Sequence, residues 1–308
     1  MLVLIAGITG SLGQLLASNA LSRGLSVRGL GRDPSKLEPE TANKLESFVK
    51  STSYYDVQAL DKAVKGVDGI ICCYSPTAVL DLDANLLLLR AAERAGVKVF
   101  IASSWNNDWT KIKFGDFYHY DPHIAFEHQA AMTSSIRPVY IFTGLFSDLL
   151  LTRYGPGAFS ADGEKGRFRY WGDGNFRKWS WSSQVDAAAY TIEILLNGEG
   201  VQEGKGGFFR FRSGEVTIES LAEAYKRVSG NEVEVTRMGD LEDLKRVLAS
   251  LRSQHGRAGY WEYIVESFTV IGSGTAWEMK EEELAKLDHV KRPRLLEECL
   301  KENLKLEE

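Results

Sequence analysis

The fold is decided by one stretch near the amino terminus, Leu2-Val3-Leu4-Ile5-Ala6-Gly7-Ile8-Thr9-Gly10-Ser11-Leu12-Gly13. An apolar run that breaks into spaced glycines and resumes with helical apolar spacing predicts a buried parallel strand, a tight turn and a helix start. Glycines let the main chain approach an anion, and the unpaired amides of the helix start face it. We therefore predict that a nucleotide pyrophosphate binds at Gly7, Thr9, Gly10, Ser11, Leu12 and Gly13.

The second predicted strand, residues 26–30, is followed by Gly31-Arg32-Asp33-Pro34-Ser35-Lys36. A carboxylate at this place suits the ribose 2′-hydroxyl of NAD, whereas an arginine suits the 2′-phosphate of NADP. Arg32 and Lys36 therefore favour NADP as the cofactor. We expect Asp33 to cap the turn before Pro34. Its carboxylate leaves the use of NAD open, and the two basic residues are also compatible with an ordinary surface loop.

Length and composition exclude several classes of protein. The chain has 308 residues, a net charge of −5 and no block of basic residues, so nucleic acid is not an expected partner. The three cysteines lack metal-ligand spacing, and Cys72-Cys73 lies in an apolar run, which indicates reduced cysteines. Apolar runs are too short for a membrane span, and the chain starts directly with the nucleotide strand. We expect a cytoplasmic protein, and the oligomeric state stays open.

Strands and helices alternate along the first half of the chain. Further strands are predicted at residues 45–49, 67–73 and 97–102, a sixth strand with the loop after it at 138–146, and helices at 57–64 and 82–95. This alternation predicts an α/β fold with a doubly wound parallel sheet of the Rossmann type. We assign residues 1–150 to an NADP-binding domain and residues 151–308 to a smaller α/β substrate lobe that rests on the sheet. Within that lobe, residues 166–174 are predicted to form a hairpin-type turn.

In a doubly wound sheet, ligands lie beyond the carboxyl ends of the strands. Further cofactor contacts are therefore expected from Tyr74, Ser75, Ser103 and Ser104, which follow the fourth and fifth strands. Aromatic side chains in such loops can stack on a planar ring, and an indole N–H can supply a directional bond. The predicted substrate contacts are Trp105, Asn106, Tyr118, Phe146 and Trp181, although aromatic residues of this kind also form core.

Several motifs together resemble one known family. They are the glycine turn, Gly31-Arg32-Asp33, Asp173-Gly174, Val185-Asp186-Ala187-Ala188 and Thr217-Ile218-Glu219-Ser220-Leu221-Ala222. The chain is similar to the NmrA-like and isoflavone-reductase-like branch of atypical short-chain dehydrogenases/reductases. The resemblance implies NADPH as hydride donor and small aromatic, polyketide-like or alkaloid-like substrates. It also implies that some members bind the dinucleotide as sensors without turnover.

One departure from that branch concerns the proton donor. The resemblance implies a lysine on the helix after the fifth strand, but this chain has no lysine between Lys113 and Lys165. Hydride transfer to a carbonyl develops an alkoxide that a positioned acid must protonate or stabilise. We predict His123 or Tyr120 in this role. Tyr118, His119 and His128 are further candidates, and the histidines lack the spacing of a metal site.

Three functions are compatible with the missing lysine. The leading hypothesis is an NADP(H)-dependent oxidoreductase of secondary metabolism that transfers hydride to or from an aromatic or alkaloid-like small molecule. The acceptor is a carbonyl, an iminium or an unsaturated system, and an iminium needs little or no proton donation. The second hypothesis is a cyclase that uses NADP and controls stereochemistry through orientation. The third is a regulator that senses NADP without catalysis.

Overall fold

The computed structural model of the protein describes residues 1–75, 77, 80–163 and 165–305. The strands are β1 (Leu2–Ala6), β2 (Ser26–Gly31), β3 (Ser47–Lys50), β4 (Gly69–Cys72), β5 (Val99–Ile101), β6 (Val139–Phe142), β7 (Leu145–Phe146), β8 (Ser160–Asp162), β9 (Lys165–Trp171), β10 (Trp179–Ser182), β11 (Gly207–Arg210), β12 (Gly214–Val216) and β13 (Glu232–Gly239). The helices are α1 (Ser11–Ser22), α2 (Pro39–Lys44), α3 (Val57–Val64), α4 (Asn85–Arg94), α5 (Asp121–Thr133), α6 (Gln184–Asn197), α7 (Ile218–Ser229), α8 (Leu241–His255), α9 (Ile264–Gly272) and α10 (Leu296–Leu304).

The central sheet has seven strands in the order β3-β2-β1-β4-β5-β6-β11, and all neighbours are parallel. This confirms the predicted doubly wound fold. The residues from Val3 to Ala6 are fully buried because the sheet is covered on both faces. Strand order reverses direction between β1 and β4, so a cleft opens at their carboxyl ends.

The helix after β4 starts later than the sequence suggests. The helical spacing predicts residues 82–95, whereas a π-helical turn, Leu80–Ala84, precedes α4. The Asn85 amide Nδ2 donates to the carbonyls of Leu80 (3.0 Å) and Asp81 (3.3 Å) and holds this wider turn. Gly96 follows α4 with φ +71°, as expected for a residue that ends a helix.

Two three-stranded sheets lie beyond the central one, in the orders β12-β10-β7 and β13-β9-β8. The predicted hairpin-type turn over residues 166–174 is wrong. Residues up to Trp171 continue as β9, and β10 belongs to the other sheet. Gly166 packs so tightly that an added Cβ would lie 2.6 Å from Cε1 of Tyr225 on α7, so a distant helix fixes this strand.

Residues after 150 also complete the central sheet. Strand β11 pairs with β6, and α6 packs against α1. The carboxylate of Asp186 in α6 is buried, and it binds Lys291 Nζ at 2.7 Å and the Arg294 amide at 2.9 Å. The two segments are therefore interleaved, and the division at residue 150 stays a prediction.

Candidate dinucleotide and substrate site

The glycine turn after β1 forms a tight cradle. Gly7 has φ +86°, and an added Cβ would lie 2.6 Å from the Cys73 carbonyl oxygen. At Gly13 a Cβ would lie 2.4 Å from the Gly7 carbonyl oxygen, so α1 packs directly on the turn. Gly10 is the N-cap of α1 and carries no side chain to bond the first helical amides. These amides and the helix dipole suit an anion, so the residues present fit a pyrophosphate.

Basic residues stand at the carboxyl end of β2. Arg32 and Lys36 are exposed, and the Arg32 guanidinium lies 5.4 Å from the centre of the Tyr54 ring. Asp33 Oδ1 accepts from the Ser35 amide (3.1 Å) and hydroxyl (2.7 Å), which confirms the predicted turn cap. These bonds lower the pKa of Asp33 and direct its carboxylate toward the turn. Thr9 lies next to this region, since a Cβ at Gly31 would be 3.3 Å from Thr9 Cγ2.

A cavity of about 530 Å³ extends from the cradle to the carboxyl-terminal lobe. Most predicted site residues lie on its wall: Gly10, Ser11, Leu12, Gly13, Tyr74, Ser75, Ser103, Trp105, Asn106, Tyr120, His123 and Phe146. The Ser103 hydroxyl donates to the Tyr74 carbonyl (3.0 Å) and joins the loops after β5 and β4. One continuous space thus touches both the predicted phosphate cradle and the predicted proton donors.

Seven predicted site residues do not line the cavity: Gly7, Thr9, Arg32 and Lys36, which belong to the glycine turn and the loop after β2, and Ser104, Trp181 and Tyr118, whose side chains have other partners. The Ser104 hydroxyl ties β5 to β6, because it donates to Ala102 (3.0 Å) and accepts from the Ile141 amide (2.8 Å). Trp181 is buried in β10 as core. Tyr118 faces two guanidinium groups, at 5.0 and 4.6 Å from its ring centre. The side chains of Ser104, Trp181 and Tyr118 are therefore oriented by residues that lie far away in the sequence.

Trp105 lines the cavity with its ring, but its indole N–H is already engaged. The indole Nε1 donates to Thr191 Oγ1 on α6 at 2.8 Å. The predicted directional bond from this indole to a ligand is therefore replaced by a bond that anchors the loop after β5. Trp105 then offers a fixed apolar surface to the cavity.

His123 sits at the first turn of α5 and is held by Asn106. The Asn106 amide donates to the carbonyls of Ser104 (3.1 Å) and Asn107 (3.0 Å), and in this orientation its Oδ1 accepts from His123 Nε2 at 3.0 Å. The imidazole stacks parallel to the Trp109 indole, 6.2 Å between ring centres. Burial lowers the pKa of His123 to about 3, so the ring is neutral at neutral pH.

A carboxyl group, Asp81, lies behind His123. Its Oδ2 is 3.5 Å from His123 Nε2, and its side chain is fully buried. Burial raises the pKa of Asp81 to about 8, because water is excluded from the carboxylate. At neutral pH this carboxyl is mostly protonated, so the buried pair carries no net charge.

Tyr120 and His119 complete this wall. The amide N and side-chain Nδ2 of Asn107 each donate to the Tyr120 hydroxyl oxygen at 3.4 Å, which leaves the phenol proton free to point elsewhere. Burial raises the pKa of Tyr120 to about 12 and lowers the pKa of His119 to about 4. His128 is exposed and lies next to Glu127, away from the cavity.

Aromatic rings surround His119 at the far end of the cavity. Ring centres lie 5.5 Å away for Trp261, 5.7 Å for Phe117 and 6.0 Å for Tyr260. Ile264 and Phe268 of α9 close the space from the carboxyl-terminal lobe. Apolar and aromatic surface therefore dominates this end, which suits a planar ligand.

Comparison with sequence models of protein families shows which family the chain belongs to. The model of the NmrA-like family matches residues 1–300. The protein belongs to the NmrA-like family. This confirms the resemblance drawn from the sequence motifs.

Named proteins share this fold and part of the sequence. The bifunctional pinoresinol-lariciresinol reductase of Linum usitatissimum is 28% identical over 257 residues, 79% of each chain. The structure of AtPrR2 with NADP+ and (+)pinoresinol is 22% identical, covers 98% of each chain and has a TM-score of 0.72. The binary complex of leucoanthocyanidin reductase and NADPH from Vitis vinifera is 19% identical, covers 99% of this chain and 100% of that one, and has a TM-score of 0.73.

The structure of this NmrA-like protein adds site residues that the sequence reasoning missed. Asp81 is the main one, and its only local signal is an acidic residue at the start of an apolar helix after β4. Asp81 lies behind the cavity wall, whereas Leu149, Tyr154, Gln184, Ile264 and Phe268 line the cavity itself. Among the described residues, no three His, Cys, Asp or Glu side chains gather into a metal-holding group. No described helix is long and apolar enough to cross a membrane.

Proposed function

We propose that this NmrA-like protein is an NADPH-dependent reductase that acts on a small planar aromatic molecule. One observation carries the proposal: a single cavity joins the glycine cradle at the amino end of α1 to a wall that contains His123 and Tyr120. Kinship with reductases that are solved with NADP+ or NADPH supports the choice of cofactor.

The chain offers a contact for each part of the dinucleotide. Amides of Ser11, Leu12 and Gly13 would hold the pyrophosphate at the start of α1. Arg32 and Lys36 would hold the 2′-phosphate, since Asp33 is turned toward Ser35 and does not compete for the ribose. NADPH supplies a hydride to the substrate when it is bound.

The residues of the far wall would place the substrate and its proton. Tyr120 keeps its phenol proton at neutral pH and accepts bonds from Asn107, so its O–H can donate into the cavity. His123, fixed by Asn106, is the second candidate donor, and it can donate to a substrate only when its ring carries a second proton. The rings around His119 would stack on an aromatic substrate. The carboxyl-terminal segment thereby acts as the substrate lobe.

The test is turnover of NADPH by the full chain. The protein is incubated with NADPH and (+)-pinoresinol, and with a panel of aromatic carbonyl and iminium compounds, while the nicotinamide absorbance band is followed. Consumption of NADPH by the wild type, strongly reduced in Tyr120→Phe with NADPH affinity unchanged, is the expected result. Tight NADPH binding without consumption across the panel would overturn the reductase and favour an NADP-sensing regulator. A changed product stereochemistry without net consumption would favour the cyclase.

A further inference from the structure

Asp81 is a buried polar group without an evident structural use. Its side chain is fully buried, and among the described residues neither carboxyl oxygen has a hydrogen-bond partner. It lies in the π-helical turn Leu80–Ala84, and such turns are frequent at functional sites. An unpartnered buried carboxyl is costly to the fold, so its position calls for an explanation beyond packing.

The surroundings of Asp81 leave one group that can share its proton. Asp81 acts electrostatically on Cys72 of β4, Tyr120 and Tyr260, it faces His123 of α5, and His119 acts on His123. Each of these is neutral in its ordinary state inside a protein interior, and none is a lysine or arginine. His123 Nε2, 3.5 Å from Asp81 Oδ2, is therefore the group that can become the counter-charge of an ionised Asp81.

We propose that Asp81 is a positioning residue that lets His123 hold and deliver a proton, and that the Asp81–His123 pair takes the place of the lysine that this chain lacks. This inference rests on the proposed reductase function. Asp81 acts through His123 and does not line the cavity itself. The pair holds one proton, either on Asp81 or on His123 as an imidazolium opposite the carboxylate, and its net charge is zero in both arrangements.

The proton balance of a carbonyl reduction follows from this pair. A hydride from the proposed cofactor forms a C–H bond at the carbonyl carbon, and the electron pair of the C=O π bond moves to oxygen. One N–H bond of the imidazolium breaks, and its proton forms the O–H bond of the product. His123 returns to the neutral ring, held by Asn106 and by a hydrogen bond to the Ser103 backbone, Asp81 remains a carboxylate, and one proton from water restores the pair.

Without Asp81, the imidazolium would be an uncompensated buried charge. Burial, with a smaller effect of His119, lowers the pKa of His123 to about 3, so His123 without a counter-charge would hold no proton to deliver at neutral pH. With Asp81, whose pKa burial raises to about 8, the pair keeps one proton up to mildly alkaline pH. The variant Asp81→Asn keeps the size of the side chain and removes this proton.

The test follows His123 by NMR and needs no substrate. The imidazole nitrogens are recorded against pH in the full chain with NADP+ present, and His123→Gln assigns the signal among the five histidines. In the wild type we expect the His123 signal to change near pH 8. The change should disappear in Asp81→Asn and persist in Asp83→Asn, a matched control because Asp83 lies two residues away and is exposed.

Either of two results would overturn the pairing. The His123 nitrogen signal of the wild type could show no change around pH 8, or the change near pH 8 could persist in Asp81→Asn. Carboxyl 13C signals of the wild type give a second measurement, which needs no folded variant, since one buried aspartate must titrate near pH 8. Where a substrate is turned over, Asp81→Asn should lower kcat about tenfold or more with KM for NADPH unchanged. If no substrate is turned over but the His123 signal still changes near pH 8 in the wild type, the result counts against the proposed reductase function and not against the Asp81–His123 pair.

Discussion

Raising the pH from 6.5 to 8 should destabilise the wild-type protein more than Asp81→Asn, by an amount that follows from the Asp81–His123 pair. Folding raises the pKa of Asp81 from 3.8 to about 8 and lowers that of His123 from 6.5 to about 3. Between pH 3.8 and 6.5, the native pair holds one proton on Asp81 and the unfolded chain holds one on His123. The contribution of the pair to the free energy of unfolding is therefore constant in that window.

Above pH 6.5 the unfolded chain loses the His123 proton, while the native pair keeps the Asp81 proton up to about pH 8. The native state then binds more protons, so stability falls as the pH rises. The fall is about 1.4 kcal/mol per pH unit, or about 2 kcal/mol over the window. In Asp81→Asn neither state holds a proton at this pair above pH 6.5, so this loss is absent.

The assay is urea unfolding of the wild type, Asp81→Asn and Asp83→Asn at pH 6.5 and pH 8. The quantity compared is the change in the free energy of unfolding between the two pH values. Other titrating groups are common to all three proteins and cancel in the comparison. We expect Asp83→Asn to follow the wild type, and Asp81→Asn to lose about 2 kcal/mol less than either. An equal pH dependence in all three proteins would refute a raised pKa at Asp81.

Three more predictions concern the cofactor and the donor wall. Arg32→Ala should weaken NADPH binding by about 1.5–3 kcal/mol in calorimetry and leave NADH nearly unchanged, because a charge-assisted bond to the 2′-phosphate is lost; an equal loss for both would contradict the assignment to NADP. Gly13→Ala should abolish NADPH binding or stable folding, since its Cβ would meet the Gly7 carbonyl at 2.4 Å, while Gly10→Ala, with 3.4 Å to the same oxygen, should keep a folded protein; thermal unfolding and calorimetry separate the outcomes. His123→Gln should lower turnover roughly 100-fold, whereas the exposed His128→Gln should not change it; similar rates for both would place the acid elsewhere.

Local sequence predicted the cofactor half of the molecule because the determinants there are local. A short apolar run buried on both faces and glycines at Gly7 and Gly13 specify strand, turn and helix within a dozen residues. Asp33 likewise bonds a neighbour, Ser35, so its capping role could be predicted from the turn alone. The seven-stranded sheet then follows from repetition of the same unit.

The side-chain orientations in the substrate half could not be predicted, because they depend on partners that are distant in the sequence. Ser104 accepts from the Ile141 amide, Trp105 bonds Thr191, and Trp181 lies in β10, which pairs with β12 and β7. Composition suggested an aromatic cavity, but it could not separate the rings that face the cavity from those that pack as core. The strand β9 pairs with residues more than sixty positions later, which no local turn pattern reveals.

The chain has no lysine between Lys113 and Lys165, and the proposed role of the buried Asp81 bears on the electrostatics of the proton donor. A lysine beside the cavity would bring a permanent positive charge, whereas the Asp81–His123 pair is neutral with its proton in place. Creating an imidazolium in this interior is feasible only if a carboxylate forms opposite it, because an isolated buried ion carries a large desolvation cost. Asn106 fixes the Nε2 side of the ring, and a hydrogen bond to the Ser103 backbone adds a second tether. We therefore expect the donor to work in an apolar, aromatic cavity without a fixed cation, and Asp81 to be needed for turnover only as long as His123 is present: Asp81→Asn should lower turnover in the wild type and add nothing in a His123→Gln background.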